Sequence, residues 1–238
     1  MLQFLFGSAF VVVLLLAGKL IWEQHLQQEQ QEELREAYES GKTGAEAENA
    51  DGRQKLADLN GDYLGWLTVY GTEVDLPVVQ GTDNDYYLDH DFYGEENRYG
   101  CLFADFEGCE DGNLLIYGHH MKDGSMFGDL QSFKKKEFFR EHGLVRWEQG
   151  SETEYYEIFA VLVVPGYEDD EQYFPIRNYL PLLDEDETAG FLEELRGRAS
   201  LWKDLDISDQ EKFMFLMTCD YTRTDGRLLL CARRMEMQ

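Results

Sequence analysis

Two short segments, 113–127 and 213–230, hold the residues best suited to chemistry. The first runs Asn113-Leu-Leu-Ile-Tyr-Gly-His-His120 and continues to Phe127. The second runs Phe213-Met-Phe-Leu-Met-Thr-Cys-Asp220 and leads on to Gly226 and Arg227. Each begins as an apolar, strand-like run and ends in a reactive side chain: His119 in the first, Cys219 in the second. Arg227 opens the strand that follows. A thiol, an imidazole and a guanidinium supply a nucleophile, a proton carrier and an oxyanion partner, the parts needed for acyl transfer through a thioester.

Each residue has a plainer alternative. A lone cysteine in an apolar run is usually a buried, inert core residue, and what singles out Cys219 is its combination with His119 and Arg227. Two adjacent histidines on an extended chain point to opposite sides, so only one of His119 and His120 faces Cys219. Gly118 permits a sharp turn just before them. A metal reading would need further ligands, such as His90 or Asp91, brought in by the fold; no metal or organic cofactor is expected. If residues 220–226 form a hairpin loop, Arg227 lies across from Cys219. There an always-charged guanidinium stabilises a thiolate or an oxyanion. Arg233 and Arg234 read as surface charges.

The elements that must position these residues are mostly strands. Apolar runs bounded by turn residues occur at 63–70, 74–79, 100–104, 113–117, 144–147, 154–164, 212–217 and 227–233. Pro77 suits an edge or a bulge. A segment at 126–139 reads as helix or turn. Phe191, Leu192, Leu195 and Ala199 recur at helical spacing, which predicts a helix over 187–202. Eight short strands with one helix inserted before the Cys219 strand give a mainly-β chain that closes, or nearly closes, into a barrel.

The formal net charge of -27 excludes nucleic acid as a partner, because phosphates would be repelled. It also excludes a polybasic patch docking on anionic lipid. The cysteines at 101, 109, 219 and 231 show no Cys-x-x-Cys spacing. Cys101 and Cys109 could close a small disulfide loop in an oxidising compartment, and Cys231 reads as core. From Leu2 to Trp22 the chain is apolar and long enough to span a bilayer, with Lys19 and Trp22 suited to the interface. No basic residue precedes this run, which argues against a cleaved signal peptide. Residues 1–22 are therefore expected as a transmembrane anchor. Residues 23–55 are expected as a helical stalk running into a flexible linker, and 56–238 as the folded domain.

These residues resemble a known family. Leu64-Gly-Trp-Leu67, Leu76-Pro-Val-Val-Gln-Gly81, Asp85-Tyr-Tyr-Leu-Asp-His-Asp-Phe-Tyr-Gly94, the Tyr-Gly-His-His-Met and Gly124-Ser-Met-Phe127 pair, and Thr-Cys-Asp-Tyr with Gly226-Arg227 are similar to segments of the sortases, and most closely to class B. These are the membrane-anchored cysteine transpeptidases of Gram-positive bacteria. The resemblance covers roughly 55–235 and implies a closed eight-stranded sortase β-barrel with an N-terminal helix. It maps the catalytic histidine to His119, the nucleophile to Cys219 and the arginine to Arg227. It implies cleavage of a C-terminal sorting signal of secreted proteins, with transfer to a peptidoglycan cross-bridge or pilin lysine amine. It also implies an extracytoplasmic domain tethered to the cell membrane. Phe215 stands where the family motif has its first Thr, and Met217 where class B often has Ser; both departures are expected beside the substrate groove. Two rival readings are a cysteine endopeptidase that hydrolyses its thioester and an inert membrane-tethered binding module.

Overall fold

Period-two alternation of apolar side chains closes this structure. A computed structural model describes residues 2–40, 50–108, 112–205 and 211–236, with the side chains of 2–12, 50 and 51 outside the description. The strands are β1 (Tyr63–Val69), β2 (Asp75–Val79), β3 (Leu102–Ala104), β4 (Leu114–Tyr117), β5 (Leu144–Gln149), β6 (Glu152–Pro165), β7 (Leu201–Trp202), β8 (Phe213–Asp220) and β9 (Gly226–Arg234). The helices are α1 (Leu2–Glu39), α2 (Ala50–Leu59), α3 (Lys136–Glu141) and α4 (Glu185–Arg198). Around the barrel the order is β1-β2-β3-β4-β8-β9-β6-β5, and β5 pairs back onto β1. The barrel is thus closed with eight strands, as the sequence predicts. β7 is an addition: it pairs with Ala160 and Val161 on the edge of β6 beyond the stretch occupied by β5. Residues 201 and 202 fall inside the helix that the sequence spacing predicts, but pair as a strand.

Along the central strands one parity points in and the other out. Ile116, Met214, Leu216, Leu228 and Leu230 fill the interior together with Leu67, Val78 and Val145. Leu115, Phe213, Phe215, Leu229 and Cys231 face outward beneath Phe191 and Leu195 of α4 and Phe174, Ile176 and Leu180 of the β6–β7 connection. Fully burying a large apolar side chain contributes ~1.5–3 kcal/mol, so this outer cover is a second core. α4 begins two residues earlier than expected because Asp184 caps it. The Asp184 carboxylate accepts from the Glu187 N–H while the Glu187 side chain accepts from the Asp184 N–H, a reciprocal capping box. Phe215 packs at 5.8 Å, ring edge to ring face, against Phe191. It is fully buried under α4 and does not line a groove, a correction to its expected position.

A third core lies under the N-terminal helices, where Leu34, Tyr38 and Leu56 cover Trp66, Val79, Cys101 and Phe103. The Tyr38 ring stacks on Trp66 at 4.2 Å. The part of α1 that follows residue 22 runs along the barrel: Glu23 pairs with Arg98, Gln27 bonds Asn97, Gln30 bonds Asp91 and Arg35 pairs with Asp75. Of the linker expected between Gly41 and residue 55, residues 41–49 lie outside the described residues and 50–55 belong to α2; Cys109 also lies outside them, and with it the expected pairing to Cys101. Most of the apolar run from Leu2 also lies outside the described side chains; among those that are described, no helix is long and apolar enough to cross a membrane.

This third core is fastened by one buried acid. Glu148 of β5 accepts from Tyr38, pairs with Arg53 at 2.9 Å and pairs with Arg146 at 3.1 Å. Arg53 also donates to the Gly150 carbonyl. Removing one member of a buried charge network leaves the others unpaired. Glu148→Ala is therefore expected to cost about 3–5 kcal/mol, seen as a lower urea midpoint than wild type. An unchanged midpoint would show that the network does not fasten the helices.

Candidate active site

Strand register brings the three predicted site residues to one level. β4 and β8 run parallel, with Tyr117 opposite Met217, and the Gly118 N–H still donates to the Met217 carbonyl at 3.2 Å. Two residues further, His119 stands level with Cys219. β8 and β9 run antiparallel, with Cys219 directly opposite Arg227. His119, Cys219 and Arg227 share the outward parity of Leu115, Phe215 and Leu229, so they emerge on one face of three adjacent strands. They line one groove of about 280 Å³ with Asn84, Leu88, Tyr117, Arg177 and Met217. His120 takes the opposite parity and lies outside the groove.

Glycines permit two close approaches here. A Cβ on Gly118 would run into Leu102 and come within 2.9 Å of Phe127. Its role is thus close packing rather than the sharp turn expected of it. A Cβ on Gly166 would stand 2.9 Å from the Arg227 guanidinium carbon, so Gly166 leaves the space in which that guanidinium lies. Arg227 makes no ion pair among the described residues; its one hydrogen bond there is from Nη1 to the Gly226 carbonyl at 3.0 Å. The other donors of its fork remain for a ligand. The His119 Nε2 lies 2.6 Å from the Leu88 carbonyl. A carbonyl only accepts, so Nε2 holds the proton, and in the neutral ring Nδ1 is the free base.

The far wall of the groove depends on a residue the sequence reading missed. The buried Asp105 carboxylate accepts from Tyr117 at 2.8 Å and Asn84 at 3.0 Å, and pairs with Arg177 at 3.0 Å. It thereby holds three groove side chains from three separate segments. Burial, then the Asp105 charge, push the Tyr117 hydroxyl well above its usual range, so it stays a neutral donor. Arg177 carried a signal that went unread: it is the sole basic residue between Arg146 and Arg196, set in a strongly acidic stretch. Of the described cysteines, Cys101 and Cys231 are buried, and burial pushes the Cys101 thiol up to about 12 and the Cys231 thiol well above its usual value. Cys219 alone is partly open.

A sortase domain model matches residues 67–235. The chain belongs to the sortase family. It is 36% identical over 197 residues to sortase B of Listeria monocytogenes, covering 79% of this chain and 76% of that one. It is 25% identical over 240 residues to sortase B of Staphylococcus aureus, covering 94% and 92%. In fold it is similar to a mutant form of Clostridium perfringens sortase B, with a TM-score of 0.76 at 26% identity, covering 87% of this chain and 97% of that one. This sortase is a cysteine transpeptidase of the class B type, and its family acts on sorting signals. The barrel and inserted helix expected from the resemblance are those observed.

Two predictions arise from the groove. Asp105→Asn keeps the shape of the side chain but removes the charge that holds Arg177. It is expected to raise KM for a sorting-signal peptide about tenfold with kcat little changed; a wild-type KM would remove Asp105 from the groove's organisation. The second concerns pH. Burial pushes the Asp220 carboxyl up, but Lys134, at 2.5 Å, and Thr222 outweigh it and hold the carboxyl below its ordinary value. A lowered folded value adds stability that is present above the unfolded pKa and is lost as pH falls through the folded one. Lys134→Met should therefore shift the acid-unfolding midpoint to higher pH, as read by circular dichroism, and an unshifted midpoint would show that the pair adds nothing.

Proposed function

We propose that Cys219 is the nucleophile, His119 the proton carrier and Arg227 the oxyanion partner of this sortase. The observation that carries the reading is that these three side chains line one groove, with Cys219 opposite Arg227 across β8 and β9 and His119 two residues past the end of β4, which pairs with β8 as far as Met217. Cys219 attacks the Thr carbonyl of an Asn-Pro-x-Thr-type or related sorting signal, and the C–N bond breaks as the thioester forms. His119 Nδ1 takes the proton of the Cys219 thiol and passes it to the leaving amine. An incoming amine, from a peptidoglycan cross-bridge or a pilin lysine, then loses a proton to the same ring and displaces the thiol. With Nε2 committed to the Leu88 carbonyl, Nδ1 is the nitrogen available for both transfers. The guanidinium fork of Arg227, free of ion pairs among the described residues, fits the oxyanion of each tetrahedral intermediate.

We further propose that the N-terminal apolar run anchors the chain in the cell membrane with the catalytic domain outside. In support, Val13, Leu15, Ile21 and Trp22 of α1 are exposed large apolar side chains, where a helix in water would carry polar ones.

Cleavage of a fluorogenic sorting-signal peptide, with and without an added amine, tests the site. Cys219→Ala and His119→Ala should each abolish turnover. Arg227→Lys keeps the charge but loses the planar fork, and should cost about 10²–10³ in kcat. Near-normal turnover by Arg227→Lys would move the oxyanion role elsewhere, and product formed only by hydrolysis when amine is present would make the enzyme a peptidase.

A further inference from the structure

Of the adjacent histidines, only His119 enters the groove, and the chemistry above leaves His120 without a task. Its position gives it one. The parallel β4–β8 ladder ends with the Gly118 N–H on the Met217 carbonyl at 3.2 Å. In a regular parallel ladder the next donor would be the backbone N–H of residue 120, aimed at the Cys219 carbonyl. β4 stops at Tyr117, and His120 instead forms an isolated bridge with Met126. The carbonyl of Cys219 would then be an orphan acceptor at the end of its strand, on the peptide that bears the thiol. Two side chains take the place of the missing donor. His120 Nδ1 lies 3.0 Å from the Cys219 carbonyl and Gln131 Nε2 donates to it at 3.1 Å.

Both donors are themselves held. The His120 ring stacks on Tyr221 at 4.8 Å and 24°. Gln131 belongs to the 3-10 helix Gly128–Lys134, and its amide oxygen accepts from Lys134 at 3.3 Å. The same Lys134 ammonium pairs with Asp220, next to the nucleophile. The peptide carrying Cys219 is therefore gripped on its carbonyl by His120 and Gln131, and on the following side chain by Lys134.

We propose that His120 is a positioning residue: its Nδ1–H, together with Gln131, completes the ladder at the Cys219 carbonyl and fixes the strand end from which the thiol projects. This rests on the reading of Cys219 as nucleophile. The carbonyl only accepts, so His120 must carry hydrogen on Nδ1, the reverse of the tautomer that His119 holds. Holding a reacting group in place acts on the chemical step more than on substrate binding.

The experiment compares His120→Ala, His120→Asn and Gln131→Met in the full chain, with kcat and KM measured on a sorting-signal peptide plus amine. His120→Ala should lower kcat about tenfold and leave KM within about twofold, the loss of one net hydrogen bond at the nucleophile. His120→Asn places an amide donor near the former Nδ1 and should recover most of kcat, an outcome that a general loss of packing would not give. Gln131→Met removes the other donor and should lower kcat several-fold, again at constant KM. Wild-type kcat in His120→Ala overturns the proposal, as does a loss that His120→Asn fails to restore. If His120→Ala does not fold, Gln131→Met decides alone, and an unchanged kcat there also overturns it. Turnover surviving in Cys219→Ala would instead sink the assignment of the nucleophile, so the two failures are distinguishable.

Discussion

The hydrogen-bond register of the β4–β8–β9 ribbon is the constraint on which the site depends. In a strand the side-chain period is two, so a slip of one residue moves every side chain to the other face. Here a slip of β8 would turn Cys219 into the barrel and bring Thr218 or Asp220 out. Two packed layers prevent it. Met214, Leu216 and Leu228 are committed to the interior, while Phe213, Phe215 and Leu229 are committed to the cover formed by α4. Each layer alone would favour this register; together they leave no alternative that keeps both sets buried. The large aromatic cluster around Phe191 thus fixes where a thiol some distance away emerges.

Charge is distributed to suit the same face. The chain carries a formal net charge of -27, yet its groove is lined by Arg177, Arg227 and His119. The two arginines are treated differently. Arg177 is held by Asp105 at 3.0 Å and Glu107 at 2.7 Å, which neutralises it and makes it a wall. Arg227 has no carboxylate partner among the described residues, so its field acts on whatever occupies the groove beside Cys219. An anionic thiolate or oxyanion is the species such a site favours. Electrostatics here is a matter of which cation is left unpaired, and bulk charge says nothing about it.

How much of this was legible in the sequence follows from the range of each interaction. The eight barrel strands could be read because alternation is local, and the convergence of His119, Cys219 and Arg227 on one groove because each sits where an apolar run ends or begins. The parity argument also separated His119 from His120. β7 was not legible, since two residues carry no period, and its pairing with Ala160 and Val161 spans a whole helix in sequence. Asp105 looked like an ordinary acid after a strand; its partners Asn84, Tyr117 and Arg177 come from segments that only the barrel brings together. The motif alignment assigns Phe215 to the groove, whereas its place four residues before Cys219 on the same face and its bulk commit it to α4. The docking of α1 on the barrel was hidden as well. Its glutamine-rich face reads as solvated until Asn97 and Asp91 supply partners for Gln27 and Gln30.

An accessible thiol at a strand end presents a conflict. Access requires that the sheet stop near the thiol, but stopping the sheet leaves backbone acceptors without their ladder donors, and an unpaired buried acceptor is costly. The strands flanking Cys219 resolve this unequally. β9 extends one residue past it, with Arg227 opposite Cys219 and Gly226 opposite Asp220. β4 stops short, which opens the groove toward His119, and the acceptor it abandons is met by His120 and Gln131. Side chains can do this where backbone cannot, because they reach the carbonyl from below the sheet and leave its outer face clear. In the proposed reading the loop that ends β4 serves two purposes with neighbouring residues: His119 on the open side for proton transfer, His120 on the closed side to hold the peptide still.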